Sequence, residues 1–165
     1  MSEDTCKSEG AIMNFAFSSV GLLFLVMLMI PNIMWSKNQP KDYEKYSSHE
    51  NSVLVAIERI GEVAVSIFAL FCGVDFANVS ILTVIAFVLM ILYEIYWIRY
   101  FRSERKMSDM YCNMFGIPLP GATLPVFAFL ILGISCENMF LIAFSVILGI
   151  GHIGIHMNHK RELKK

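Results

Sequence analysis

Four long apolar stretches occupy most of this 165-residue chain, and the last, from Ile117 to about Met157, runs for some 40 residues with a polar break at Ser135-Cys136-Glu137-Asn138. A helical span needs roughly 20 apolar residues to cross a hydrocarbon core of about 30 Å. The last stretch therefore reads as two spans. The chain is expected to form an all-α, integral membrane five-helix bundle, with helices at about 11–35, 53–73, 81–101, 117–134 and 139–157.

The basic residues favour that count. With five spans, Lys37, Lys41, Lys45, Arg99, Arg102, Arg105, Lys106, Lys160, Arg161, Lys164 and Lys165 share one side, which is eleven of the thirteen Lys and Arg residues. Lys7 stands on the other side and Arg59 lies within the second helix. Four spans would carry the last four cations across and erase the bias. Since cationic connections stay in the cytoplasm, the amino terminus is expected outside and the carboxyl terminus in the cytoplasm.

A chain with 56% apolar residues, mean hydropathy +0.61 and net charge -1 has no room for a second domain, so residues 1–165 read as a single transmembrane domain. The expected location is the cell membrane, as a multi-pass protein whose first partner is the lipid bilayer. Basic charge is too sparse and too evenly placed for nucleic acid. The first apolar stretch follows Glu3, Asp4 and Glu9 rather than a basic segment and lacks a small-residue cleavage site, so it reads as retained.

Several motifs carry less than their pattern promises. Cys6, Cys72, Cys112 and Cys136 have no metal-type spacing; they read as unpaired small residues, with a disulfide between Cys72 and Cys136 as the alternative. Gly149-Ile150-Gly151-His152-Ile153-Gly154 spells a dinucleotide fingerprint, but no strand precedes it. Its glycines read as small residues for close helix packing. Asn78-Val79-Ser80 is a glycosylation triplet that matters only in a eukaryotic secretory membrane.

The connection between the first two helices mixes Lys, Asp and Glu with Pro40, Tyr43 and Tyr46, and reads as a solvated loop in which His49 is exposed. The connection between helices 3 and 4 places Met107, Met110, Tyr111, Met114 and Phe115 at helical spacing opposite Glu104, Arg105, Lys106 and Asp109. A short interfacial amphipathic helix over about 102–115 is expected there, resting on lipid headgroups and ended by Pro118, Pro120 and Gly121. A lid over a cytoplasmic opening is the alternative.

Inside the spans the polar groups gather at one depth. At about 1.5 Å per residue, Glu58 and Glu62 lie roughly 9 and 15 Å from the cytoplasmic end of helix 2, Glu94 about 10 Å and His152 about 9 Å. Glu58 and Glu62 share a helical face, as do His152 and His156. Asn32 and Trp35 follow Pro31 near the inner end of helix 1. Charged groups in hydrocarbon must face the bundle interior, pair or reach water, so a cavity open to the cytoplasm is expected. A structural ion-pair cluster through Arg59 and Arg99 is the bland alternative. Three carboxylates against the single intramembrane Arg59 argue that one of them meets a His, a metal or a ligand.

The segments Pro31-Asn32-Ile33-Met34-Trp35, Glu58-Arg59-Ile60-Gly61-Glu62, Tyr93 to Phe101 (YEIYWIRYF) and Ile147 to His156 (ILGIGHIGIH) resemble a group of short bacterial multi-span membrane proteins. That resemblance implies membrane residence over most of the chain and no particular reaction. The architecture is also similar to sterol-isomerase-type five-helix folds, which implies a lipid-binding pocket combining carboxylates, His, Asn and Trp. The Arg-His-Pro signature of an isoprenylcysteine-type methyltransferase is missing.

The leading expectation is a membrane protein that binds a lipid-like, amphipathic molecule and acts on it by acid-base chemistry. Glu62, Glu94 and His152 are the catalytic candidates, and Asn32, Trp35, Glu58, Arg59, Tyr93, Tyr96 and Trp97 the ligand-binding walls. One alternative is a metal-dependent hydrolase with zinc on His152, His156 and Glu58. The others are a small proton-coupled carrier and a non-catalytic subunit whose buried charges pair with a membrane protein partner. Whether the chain is an enzyme stays open at this point.

Overall fold

The computed structural model describes residues 16–165. All regular structure among them is helical: α1 (Ser19–Ser36), α2 (Tyr43–Ser47), α3 (Ser52–Leu70), α4 (Ile81–Arg102), α5 (Met107–Met110), α6 (Pro120–Ser135) and α7 (Met139–Glu162), with a 3-10 turn at Phe76–Asn78. Helices α1, α4 and α7 are long and apolar enough to cross a membrane, by length and composition. That is the signature of a membrane-embedded protein. Helix α6 is apolar but only 16 residues long, and α3 carries Glu58, Arg59 and Glu62 in its middle.

Side-chain caps set where four of the long helices begin. Ser18 accepts a hydrogen bond from the Gly21 N–H, Asn51 from those of Val53 and Leu54, Ser80 from Thr83 and Asn138 from Leu141. Each satisfies backbone donors that would otherwise be orphaned in an apolar setting. Asn138→Ala is expected to cost about 1 kcal/mol of stability, measurable as a lowered melting temperature in detergent; an unchanged Tm would show that water satisfies this helix end.

Two sequence expectations are corrected here. The first helix begins at Ser19, with 16–18 outside it, because the Ser18 hydroxyl takes the cap position; the earlier part of the expected helix, 11–15, lies outside the described residues, as do Cys6 and Lys7. The amphipathic helix expected over about 102–115 shrinks to the four residues of α5. Met107, Met110, Tyr111 and Met114 do turn to one side, but they are buried against the bundle rather than laid on headgroups. Phe115 alone of that set is exposed.

The helices form one bundle in which α3 packs along α7, α4 along α6, and α6 along α7, while α1 touches α3 and α4 at few points. The α3–α7 seam is a backbone contact. A Cβ on Gly151 would sit 2.6 Å from the Glu58 nitrogen, and one on Gly61 would sit 2.7 Å from the Leu148 Cα. Small residues thus bring the two helix axes close together, as membrane helices do when no hydrophobic effect drives them into contact.

The two ends of the bundle are built differently. At the serine end, the Ser18 N–H donates to Leu70 O at 2.8 Å, its hydroxyl donates to Val74 O at 2.7 Å, and the Ser19 hydroxyl donates to Asp75 Oδ1 at 2.6 Å. Ser135 Oγ bridges Ser80 Oγ (2.6 Å) and Thr83 Oγ1 (2.7 Å). Cys72 and Cys136 meet nearby as free thiols in hydrogen-bond contact, not as a disulfide. At the histidine end, side chains hold the connections down. Tyr96 donates to Met110 O at 2.7 Å, Arg99 reaches the carbonyls of Asp109, Cys112 and Asn113, and Arg105 reaches Asn38 at 2.6 Å.

Candidate functional site

The polar groups of the histidine end surround a cavity of about 390 Å³. Its walls come from five long helices and both short ones: Asn32 and Trp35 from α1, Tyr43 from α2, Glu58, Arg59 and Glu62 from α3, Tyr96 and Trp97 from α4, Met110 from α5, Ala122 from α6, and His152 and His156 from α7. Glu50, between α2 and α3, and Tyr111, just past α5, also line it. Small-molecule sites occupy about 300–1,000 Å³ and combine apolar walls with a few placed polar groups. This cavity fits that description.

The α3–α7 seam explains the pairing at its centre. Because Gly151 lets α7 rest on the backbone at Glu58, the next residue, His152, meets the Glu58 side chain, and its Nδ1 is hydrogen-bonded to Glu58 Oε1. With Glu58 ionised, the carboxylate only accepts and the imidazole donates from Nδ1. This orients the ring and leaves Nε2 as its remaining polar atom. One helical turn on, the His156 ring packs against His152 with centroids 4.5 Å apart.

Arg59 forms an ion pair with Glu62 at 2.8 Å on the cavity rim, where their side chains are 72% and 41% exposed. A pair this exposed is worth little to stability. The pairing of Arg99 with a carboxylate, part of the bland alternative, does not occur among the described residues, where Arg99 reaches the carbonyls of Asp109 and Cys112.

Most of the sequence-predicted residues converge, but not all. Asn32, Trp35, Glu58, Arg59, Glu62, Tyr96, Trp97, His152 and His156 line one cavity. Glu94 does not; its Oε1 is buried without a hydrogen-bond partner, away from the cavity walls. Tyr93 reaches the site only indirectly, donating to Asn32 Oδ1 at 3.3 Å. The residues expected to hold zinc do not assemble for it: among the described residues no group of three His, Cys, Asp or Glu side chains could hold a metal ion. Glu58 stands behind the His152 ring, on its Nδ1, rather than beside it.

Three participants escaped the sequence reading. Tyr111 was assigned to an apolar face, yet its hydroxyl lies 3.0 Å from His156 Nδ1 and 2.9 Å from His159 Nδ1. His159, near the carboxyl end of α7, is buried, with Tyr43 and Tyr46 edge-on to its ring. Glu50, in the connection that reads as a solvated loop, has its Oε1 3.2 Å from His159 Nε2. The spacing of His152, His156 and His159 along one helix was the available signal. The partners from the two connections had none.

The enclosure shows in the acid-base behaviour of the connections. Burial first, then the charges of Glu50 and Glu58, pushes the Tyr43 hydroxyl up to about 12. Burial also raises the Tyr111 hydroxyl. Burial, with the charge of Glu58 second, holds the Glu50 carboxyl above its ordinary 4.5. A raised carboxyl favours the folded state below the ordinary value, and that contribution is lost as pH rises through the folded one. Glu50→Gln is therefore expected to gain stability relative to the natural chain as pH rises from about 4.5 towards neutrality. Paired thermal melts across that window read the difference, and a difference independent of pH would refute it.

No protein-family model matches the chain, and no curated protein or solved structure matches it either.

Proposed function

We propose that this protein is a five-span, multi-pass protein of the cell membrane that takes a lipid-like amphipathic molecule into the cavity between α1, α3, α4 and α7. In this reading the amino terminus is outside and the histidine end faces the cytoplasm, a reading that the distribution of eleven cations supports. The Glu58–His152 pair supplies acid-base chemistry to the occupant. The observation that carries the reading is the cavity itself: about 390 Å³ of space in an apolar bundle, walled by aromatic rings and by a carboxylate–imidazole pair.

The outer surfaces of α1 and α3 beside the cavity favour a lipid over a water-soluble ligand. Met29, Asn32 and Ser36 of α1 line the cavity opposite Arg59, Glu62 and Ser66 of α3, and α1 makes few contacts with α3. On the same two helices Met29, Ile30 and Ile33 of α1 and Ile60 and Val63 of α3 are exposed apolar residues suited to acyl chains. Arg59 and Glu62 at the rim suit a polar headgroup.

Native mass spectrometry of the detergent-purified chain, with extraction of whatever it carries, is the direct test. A retained lipid-sized mass that is lost in His152→Ala is the expected result. Purified protein that carries nothing and takes up no sterol, prenol or fatty amine would end this reading.

A further inference from the structure

Of the three carboxylates expected at one depth in the long helices, Glu58 is bonded to His152 and Glu62 is paired with Arg59. Glu94 has neither kind of partner. Its Oε1 is buried without a hydrogen bond, and no ion pair among the described residues includes it. It also stands outside the cavity, whose α4 wall is made by Tyr96 and Trp97. The cavity therefore gives this carboxyl no role.

Its place on α4 shows what is missing. Val84, Phe87, Ile91, Glu94 and Ile98 recur at alternating steps of three and four residues, the spacing with which one helix lies along another. The four apolar members are exposed, as are Val88 and Ile95 beside them, while Glu94 is half-buried. Apolar residues on such a face need only lipid. A carboxyl needs more. Glu94 stands eight residues before Arg102, which at about 1.5 Å per residue is about 12 Å inside the helix end. An ionisable group at that depth requires a counter-group or water.

We propose that this stripe of α4 docks a transmembrane helix of a different protein, held at Glu94 by a lysine or arginine side chain at the same depth. Oε1 lacks a donor, and an ammonium or guanidinium supplies donors and opposite charge together. Depth favours a helix over a lipid amine, because headgroups stay outside the hydrocarbon core, whereas a helix carries its cation wherever its sequence places it. A second copy of this chain brings the wrong chemistry. A two-fold interface sets the same patch against itself, so Glu94 would meet Glu94. Arg59, the cation at comparable depth in α3, already faces the charges of Glu62, Glu58 and Glu50. A metal ion is no better served, since no group of three ligating side chains gathers among the described residues.

The partner's span is then apolar along its own seam except for one cation about 12 Å from its cytoplasmic end. In the isolated chain Glu94 has no bond to lose, so Glu94→Gln is expected to leave the melting temperature in detergent unchanged or raised. A carboxyl that braced this bundle would lower it. The docking site does not depend on the cavity being a ligand site.

The test places the full chain, carrying a fluorescence donor, in phosphatidylcholine vesicles with acceptor-labelled synthetic spans of leucine and alanine about 20 residues long. One peptide carries a lysine about 12 Å from its end, and its control carries leucine there. Energy transfer to the lysine peptide is expected to saturate at a concentration about tenfold lower than to the control. In Glu94→Gln the two peptides should be equal, and in Glu94→Lys the advantage should pass to a peptide with glutamate at that position. Equal association of both peptides with the natural chain, or a lysine advantage that survives Glu94→Gln, overturns the docking site. So do two further results: hexadecylamine in the vesicles abolishing the advantage, which puts a lipid amine at Glu94, and self-association of the natural chain that Glu94→Gln removes, which puts a second copy there. If Glu94→Gln fails to fold, the two peptides on the natural chain decide alone.

Discussion

Gly151→Ala is expected to open the seam between α3 and α7 and lower stability by about 1–3 kcal/mol, the usual cost of forcing a methyl group into a filled space. The new Cβ would stand 2.6 Å from the Glu58 nitrogen, 2.8 Å from its Cα and 2.9 Å from Leu54 O. All three obstacles are backbone atoms, which no rotamer change can move aside. The helices must separate, and Glu58 and His152, which meet only because the backbones touch, must separate with them. A melting temperature in detergent well below that of the natural chain, together with loss of any retained ligand, is the expected pair of readings. Gly149→Ala is the internal control. Its Cβ would meet only the Val126 side chain at 3.0 Å and Ile153 at 3.9 Å, so a smaller loss is expected. Equal losses at both positions would mean that the seam is not what holds the pair.

His152→Ala is expected to cost about 3 kcal/mol, because removing one member of an enclosed pair leaves the other charge without its partner, and the known range for such cuts is about 3–5 kcal/mol. The lower end applies, since the two side chains keep 23% and 13% of their exposure. Glu58→Leu should cost less, because the imidazole it frees can be neutral. The double variant should recover much of the His152→Ala loss, giving a coupling that a double-mutant cycle reads directly. Additive losses would reduce the pair to two independent cavity-wall residues.

The sequence carried the long helices well because apolar periodicity and turn residues are local. Four of the five expected spans begin within three residues of a long helix, and Asn138 marks the start of α7 both as a polar break and as its cap. Depth along each helix was equally legible: counting residues from the ends brought Glu58, Glu62 and His152 to one cavity. Rotation about each helix axis was not. Glu94 has the right depth but the wrong azimuth, and its helix presents Tyr96 and Trp97 to the cavity instead. The connections were least legible. Whether Met107, Met110 and Tyr111 turn towards lipid or towards protein depends on Tyr96, Arg99 and Lys160 reaching across to hold that segment, and amphipathic spacing alone contains no term for them.

The unlike ends of the bundle imply an order of opening. Where α1 leaves Ser18, its own amide is tied to Leu70, and Gly73 donates to Ala16 O at 2.9 Å, so that end is fastened by main-chain bonds that water has little room to replace. Ser135 closes the other side with hydroxyls. At the opposite pole, α1 is fastened by Tyr93 on Asn32, and the chain just beyond it by Tyr100 and Arg105 on Asn38, single side-chain bonds beside the cavity. Thermal agitation should therefore splay the helices from one pole while the other acts as a pivot. Amide hydrogen exchange would record it as a gradient along α1, fast near Trp35 and slow near Val20. The molecule would breathe like tongs, widening its chamber without parting its fulcrum.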